Sequence, residues 1–433
     1  MSTRELPCTT RQSDFQGWNA CYLENGMIRL IAIPDIGGRI MAYDLGPYAY
    51  LFVDSNLAGK LFSAEENQGD GTLAAWNNYG GDKTWPAPQG WESDEEWHGP
   101  PDPVLDTGRY TLNELSGDGS YARVRMTSPP DHRTGVQIIR QVTIRAGTSR
   151  VELDLTFRNV KERPIRWSIW DVVQLRAERQ QPDGSLTHEP GCVMTVPLNP
   201  ASRFAEGYHV MFGDPDNPQW QASTEQGLFQ APYMWQIGKV GLDSDGGWIA
   251  FSNSAEGYGF AKSFTYEPGG EYPDNGSTVE VWTIGAGQVA NLNYEDSDIY
   301  LMEAEVLSPL RTIQPGETTT FQLEWGACRC GGVIRSVSEA GIIVEPLRLQ
   351  VQNGDYRHIS GEFGVFDTAD LLLRWLNDDN QVIDSLPLGS VDPMSSLSLD
   401  RMVRVPAGAA TVELVTIAHI DSTQRQLTSL TIE

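Results

Sequence analysis

Apolar and polar residues alternate with a period of two along most of this 433-residue chain. Segments 27–33 (Met-Ile-Arg-Leu-Ile-Ala-Ile), 136–145, 151–158, 165–175, 278–284, 299–307 and 318–325 all alternate this way between Gly, Pro, Asn or Asp residues. Each predicts a β-strand. No stretch longer than about ten residues keeps a helical apolar stripe. Short helical turns are expected only near 60–68 and 222–230. The pattern is that of an all-β protein with long, aromatic-rich loops. Past 330–345 the aromatic density falls and the expected strands shorten to Leu347–Gln352, Leu371–Leu376, Met402–Val405 and Thr411–Ile417. A large unit over residues 1–330, closed by the strand that ends at Trp325, is therefore expected to precede a small antiparallel β-sandwich over 331–433. Removal of the smaller unit should leave the larger one folded.

Composition narrows the function. A hydrophobic fraction of 40% and a charged fraction of 21% are those of a soluble globular protein. A net charge of −27 would repel phosphate backbones and anionic membrane surfaces, which argues against nucleic-acid and membrane partners. No run of eighteen apolar residues occurs, and the start, Met-Ser-Thr-Arg-Glu-Leu-Pro-Cys, has no apolar core after a basic end. Five sparse cysteines (Cys8, Cys21, Cys192, Cys328, Cys330) fit free thiols in a cytoplasmic protein. Cys328-Arg-Cys330 is too tight for a zinc knuckle, and no two histidines are spaced as ligands, so neither metal nor cofactor is expected. The acidity comes with only five lysines (Lys60, Lys83, Lys161, Lys239, Lys262), which makes a lysine inside an aromatic loop conspicuous.

That loop is 76–91, Trp-Asn-Asn-Tyr-Gly-Gly-Asp-Lys-Thr-Trp-Pro-Ala-Pro-Gln-Gly-Trp. Gly80-Gly81, Pro86 and Pro88 argue against a helix or a central strand there. Flat rings beside amide and charged groups suit a sugar, whose C–H face stacks while its hydroxyls pair; a loop merely pinned by its own tryptophans is the alternative. On segment 165–175, Ile165, Trp167, Ile169, Val173 and Leu175 form a core face interrupted by Asp171. The opposite face carries Arg166, Ser168, Trp170, Gln174 and Arg176, which suits either a groove or an outer strand packed under a loop. Glu303 and Glu305 share one face of segment 299–307, roughly 7 Å apart, close enough for one to raise the proton affinity of the other if the setting is buried. Segment 278–284 sets Trp282 beside Glu280. Arg140 sits on an apolar face, where it must pair with a substrate oxygen or a buried carboxylate. His98 is the one histidine in an aromatic, acidic loop.

In order, Gly37-Gly38-Arg39, Asn-Tyr-Gly-Gly-Asp-Lys-Thr-Trp-Pro-Ala-Pro-Gln at 78–89, Gly135-Val-Gln-Ile-Ile-Arg140, Trp170 with Gln174, Glu303-Ala-Glu305-Val-Leu-Ser-Pro309 and Pro315-Gly-Glu317 resemble the galactose-mutarotase-like (aldose 1-epimerase-like) superfamily. The resemblance is to an uncharacterised branch and covers roughly residues 15–327. It implies a β-supersandwich whose concave sheet binds a sugar in carbohydrate metabolism. By that resemblance Glu305, or Glu303 by a small shift, is a general base; in an enzyme a cation, Lys83 or Arg140, would then be expected to stabilise charge on the ring oxygen as the ring opens. Sugar contacts are expected from Arg39, Asn78, Tyr79, Asp82, Trp85, His98, Arg140, Trp170, Gln174 and Trp282. Epimerases of the superfamily use a central-strand histidine as acid, but the corresponding stretch here reads Ser168-Ile169-Trp170-Asp171. Either Lys83 or His98 takes that role, or the groove only binds. A non-catalytic carbohydrate-binding protein and a polysaccharide lyase or hydrolase of the same fold are the alternatives.

Overall fold

The computed structural model of the protein describes residues 6–90, 93, 95–289, 292–293 and 298–432. Trp91, at the end of the aromatic loop, lies outside the described residues. Regular structure is almost all β, and the alternating segments become the strands Ile28–Ile33, Val136–Arg145, Val151–Asn159, Ile165–Arg176, Val279–Thr283, Leu301–Leu307 and Thr318–Arg329.

A twelve-stranded and a ten-stranded antiparallel sheet enclose the main core. Val173, Leu175, Ala304 and Val306 face inward from the first, and Ile138, Val142, Leu153 and Phe157 from the second; all are fully buried. Arg140 and Lys262 reach between the sheets. Arg140 pairs with Asp82 and donates to Gly38 O at 2.8 Å. Lys262 Nζ meets Asp171 Oδ2 at 2.7 Å and donates to Ala304 O at 3.0 Å. These are the buried partners that a charge on an apolar strand face requires.

Two local expectations are corrected. Residues 82–87 are not loop: Asp82–Ala87 is a strand inside the twelve-stranded sheet, between Arg39–Leu45 and Ile165–Arg176. Pro86 is tolerated because it stands opposite Ile169, whose N–H and C=O are both engaged by Ser308 on the far side. Its missing N–H therefore points to the other edge, where the neighbouring strand pairs only at Ile40↔Asp82. The second correction concerns 222–230, which forms the paired strands Gln221–Ser223 and Leu228–Pro232. Gly227, at φ +65, closes a tight turn where a helix would need negative φ. Near 60–68 the helical turn is Ala64–Gln68, held by a reciprocal cap in which Ser63 N donates to Glu66 Oε2 at 2.8 Å and Glu66 N donates to Ser63 Oγ at 3.2 Å.

Residues 336–431 form two four-stranded sheets around a core that includes Phe363, Leu373, Trp375 and Leu414. They also share an apolar cluster with the preceding sheets: Trp248, Ala250 and Cys328 pack with Ile334, Ile342, Val344 and Phe366. Across the same seam Thr148 Oγ1 donates to Phe366 O at 2.9 Å, and Arg150 pairs with Asp367 at 3.2 Å.

Candidate functional site

The site is built by strand register. Residues directly opposite in an antiparallel ladder share a face, and that face repeats every second residue. One row across the twelve-stranded sheet runs Lys83, Val172, Glu305, Glu280, Gly241. The next runs Gln174, Glu303, Trp282, Lys239. Trp85 and Trp170 stand opposite each other two residues along. All therefore sit on the face turned away from the core. Trp76, Asn78, His98 and Asp274 from the connecting segments join Trp85, Trp170, Gln174, Lys239, Glu280, Trp282 and Glu303 in lining a cavity of about 550 Å³.

Two ammonium groups and four carboxyls organise this cavity. Lys83 Nζ lies 3.0 Å from Glu303 Oε1 and 4.9 Å from the centre of the Trp85 ring. Gln174 Nε2 donates to the same Glu303 oxygen at 2.7 Å. Lys239 Nζ lies 2.7 Å from Glu280 Oε2, 2.9 Å from Glu305 Oε2 and 4.4 Å from the centre of the Trp170 ring. Trp170 Nε1 donates to Glu305 Oε2 at 2.8 Å. Glu280 and Glu305 share the Lys239 ammonium, and Asp274 is near enough to Glu280 for their charges to interact, so the three carboxyls form a chain of neighbouring acids whose titrations are linked. Asp274 and Asn275, at φ +49 and +60, are left-handed without being glycine, a backbone cost that the surrounding structure sustains at the cavity rim.

Electrostatics follow from this packing. Burial pushes Glu305 up to about 8; Lys239 opposes the rise, while Glu303 and Glu280 add to it. Burial likewise raises Glu280 to about 7 against the pull of Lys239. Asp274 is raised, chiefly by burial. Burial works against the Lys239 ammonium, yet Glu280 and Glu305 outweigh it and hold its pKa above the ordinary value. Lys83 is lowered by burial, with Glu303 opposing. Five buried polar atoms here have no hydrogen-bond partner among the described residues: Trp85 Nε1, Gln174 Oε1, Glu280 Oε1 and Oε2, and Glu305 Oε1.

Asn78, Trp85, His98, Trp170, Gln174, Trp282 and Glu303 line the cavity, with Lys83 and Glu305 directly behind them. Four residues expected to contact substrate stand elsewhere. Asp82 is one residue out of phase with Lys83 and turns into the core, where Arg140 is its partner. Arg39 pairs with Asp106 and donates to Gly80 O at 3.0 Å, fastening the glycine turn. Tyr79 packs edge-on against Trp18, with ring centres 6.0 Å apart, in a separate apolar cluster. Arg140 is therefore not placed to stabilise a ring oxygen. Sequence reasoning did not select Lys239, Asp274 or Phe212. Lys239 had a usable signal: it is one of five lysines, and it interrupts the otherwise uncharged strand Gly238–Leu242.

A family profile described as a domain of unknown function (DUF4380) matches residues 19–181. No curated protein matches the chain. Among solved structures, the chain is similar to a TPR-domain containing protein from Parabacteroides distasonis, at 12% identity and a TM-score of 0.47, with 71% of this chain and 46% of that one covered. It thus spans less than half of that protein's length. A galactose mutarotase-like protein from Clostridium acetobutylicum is similar at 10% identity and a TM-score of 0.45, with 75% and 99% covered. Another, from Lactobacillus casei, is similar at 10% identity and a TM-score of 0.43, with 71% and 99% covered. No helix among the described residues is long and apolar enough to cross a membrane.

Proposed function

We propose that the cavity binds a saccharide and moves a proton on it, as an aldose 1-epimerase does. The observation that supports binding is the interleaving of indole rings with buried, unsatisfied hydrogen-bonding atoms: Trp85, Trp170 and Trp282 beside Trp85 Nε1 and Gln174 Oε1. Rings take a sugar's C–H face, and the orphan atoms take hydroxyls. For the chemistry, the Asp274–Glu280–Glu305 chain holds carboxyl and carboxylate side by side. An ionised member takes the anomeric O–H proton while a protonated member gives one to the ring oxygen. The C1–O5 bond breaks, and closure on the other face of the carbonyl inverts the anomer. Asp274 and Glu280 are the members on the cavity wall, Glu305 stands behind Glu280, and Lys239 is the cation beside the developing charge.

A binder without turnover is the second reading. It is favoured by the ion pairs that already hold both ammonium groups and by the absence of a histidine at 168–171. Saturation-transfer NMR across neutral monosaccharides and uronates reports binding and anomer exchange together. Exchange above the buffer rate, lost in Glu280→Gln with sugar affinity kept within a few-fold, is the expected result. Wild-type exchange no faster than buffer retires the enzymatic reading, and no binding by any sugar retires both.

A further inference from the structure

We propose that the saccharide taken by this cavity carries an amino group, so that the site selects an aminohexose over its neutral and acidic counterparts. This deepens the saccharide reading above and rests on it. The first observation is charge. Asp274, Glu280, Glu303 and Glu305 are four carboxyls around one cavity, against the two ammonium groups of Lys83 and Lys239. Neither ammonium is available for an anion, because Glu303 holds one while Glu280 and Glu305 hold the other. Asp274 has no cation within ion-pair distance among the described residues, and it lines the cavity together with Glu280, so a ligand ammonium there would meet a carboxyl that holds no cation of its own.

The second observation is independent of the acids. Gln174 is 1% exposed and lines the cavity, and its Oε1 accepts from no group among the described residues. It is a built acceptor waiting for a donor. Around it, Trp85, Trp170, Trp282 and Phe212 supply ring faces, and ring faces attract ammonium as well as sugar C–H. A neutral hexose would satisfy the acceptor and the rings and leave Asp274 without a cationic partner. A uronate or sugar phosphate would add negative charge where no cation is free.

Titration calorimetry at neutral pH compares glucosamine, galactosamine and mannosamine with glucose, galactose, mannose and glucuronate. At least one aminohexose is expected to bind about tenfold or more tightly than its parent, the size of one charge-assisted hydrogen bond, with glucuronate weakest. Asp274→Asn should narrow that ratio. Should this variant not fold, added salt serves on the wild type, weakening the aminohexose more than the parent. A parent hexose or glucuronate that binds as tightly as every aminohexose overturns the proposal and leaves the saccharide reading standing. Failure of all seven sugars to bind overturns both.

Discussion

Glu305 and Glu280 are acids whose protons are held more tightly in the folded chain than in the unfolded one, at about 8 and about 7 against a free value of 4.5. The folded state therefore binds more protons across this window, and the contribution these two groups make to stability falls as pH rises through it. The thermal midpoint is expected to decline from pH 5 to about 8, and Glu305→Gln should flatten that decline, both readable in melts at fixed ionic strength. An unchanged slope in the variant would show that Glu305 titrates normally. At this scale the sequence was legible where alternation alone decides orientation. Trp170 and Gln174 share a face by parity, and so do Glu303 and Glu305. Asp82 was misplaced because the aromatic run reads as loop, and parity has no meaning in a loop. Lys239 was out of reach for another reason: it meets Glu305 across 66 residues, and only the ladder order of the sheet brings them together.

At the level of elements, the strands legible in sequence were those with clean alternation and turn residues at both ends. Asp82–Ala87 was hidden because its signals conflict: Gly80-Gly81 and Pro86 read as breakers, yet the glycines form the turn that delivers the strand, and Pro86 is oriented so that its missing donor costs nothing. Gly81 sits at φ +72, and a methyl group there would lie 2.4 Å from Ile40 O and 2.7 Å from Met41 Sδ. Gly81→Ala thus combines backbone strain with a clash against main chain. Its expected cost is about 2 kcal/mol or more, measured as a lowered denaturant midpoint. Sugar binding should weaken with it, since the same turn sets Lys83 and Trp85 on the cavity face. A variant as stable as the wild type would mean that the turn relaxes freely.

Over the whole molecule, the all-β class was readable from periodicity, but how the C-terminal strands attach was not, because seam contacts leave no local pattern. Trp248, Ala250 and Cys328 depend for their burial on Ile334, Ile342, Val344 and Phe366. A chain ending at 330 is accordingly expected to melt lower than the full chain and to self-associate through the uncovered apolar patch, as read by calorimetry and gel filtration. A monomeric truncation with an unchanged melt would show that the two parts are independent. The corner at Thr148–Arg150 carries a further consequence. Ser149 N and Thr148 Oγ1 both donate to Phe366 O, and Arg150 is held by Asp367. Thr148 and Phe366 stand 218 positions apart. During synthesis at roughly 5–20 residues per second, that corner emerges on the order of ten to forty seconds before its partner exists. Throughout that interval the donors at Thr148 and Ser149 lack the acceptor that they meet in the folded chain. The seam at this corner therefore closes only after most of the chain has been made.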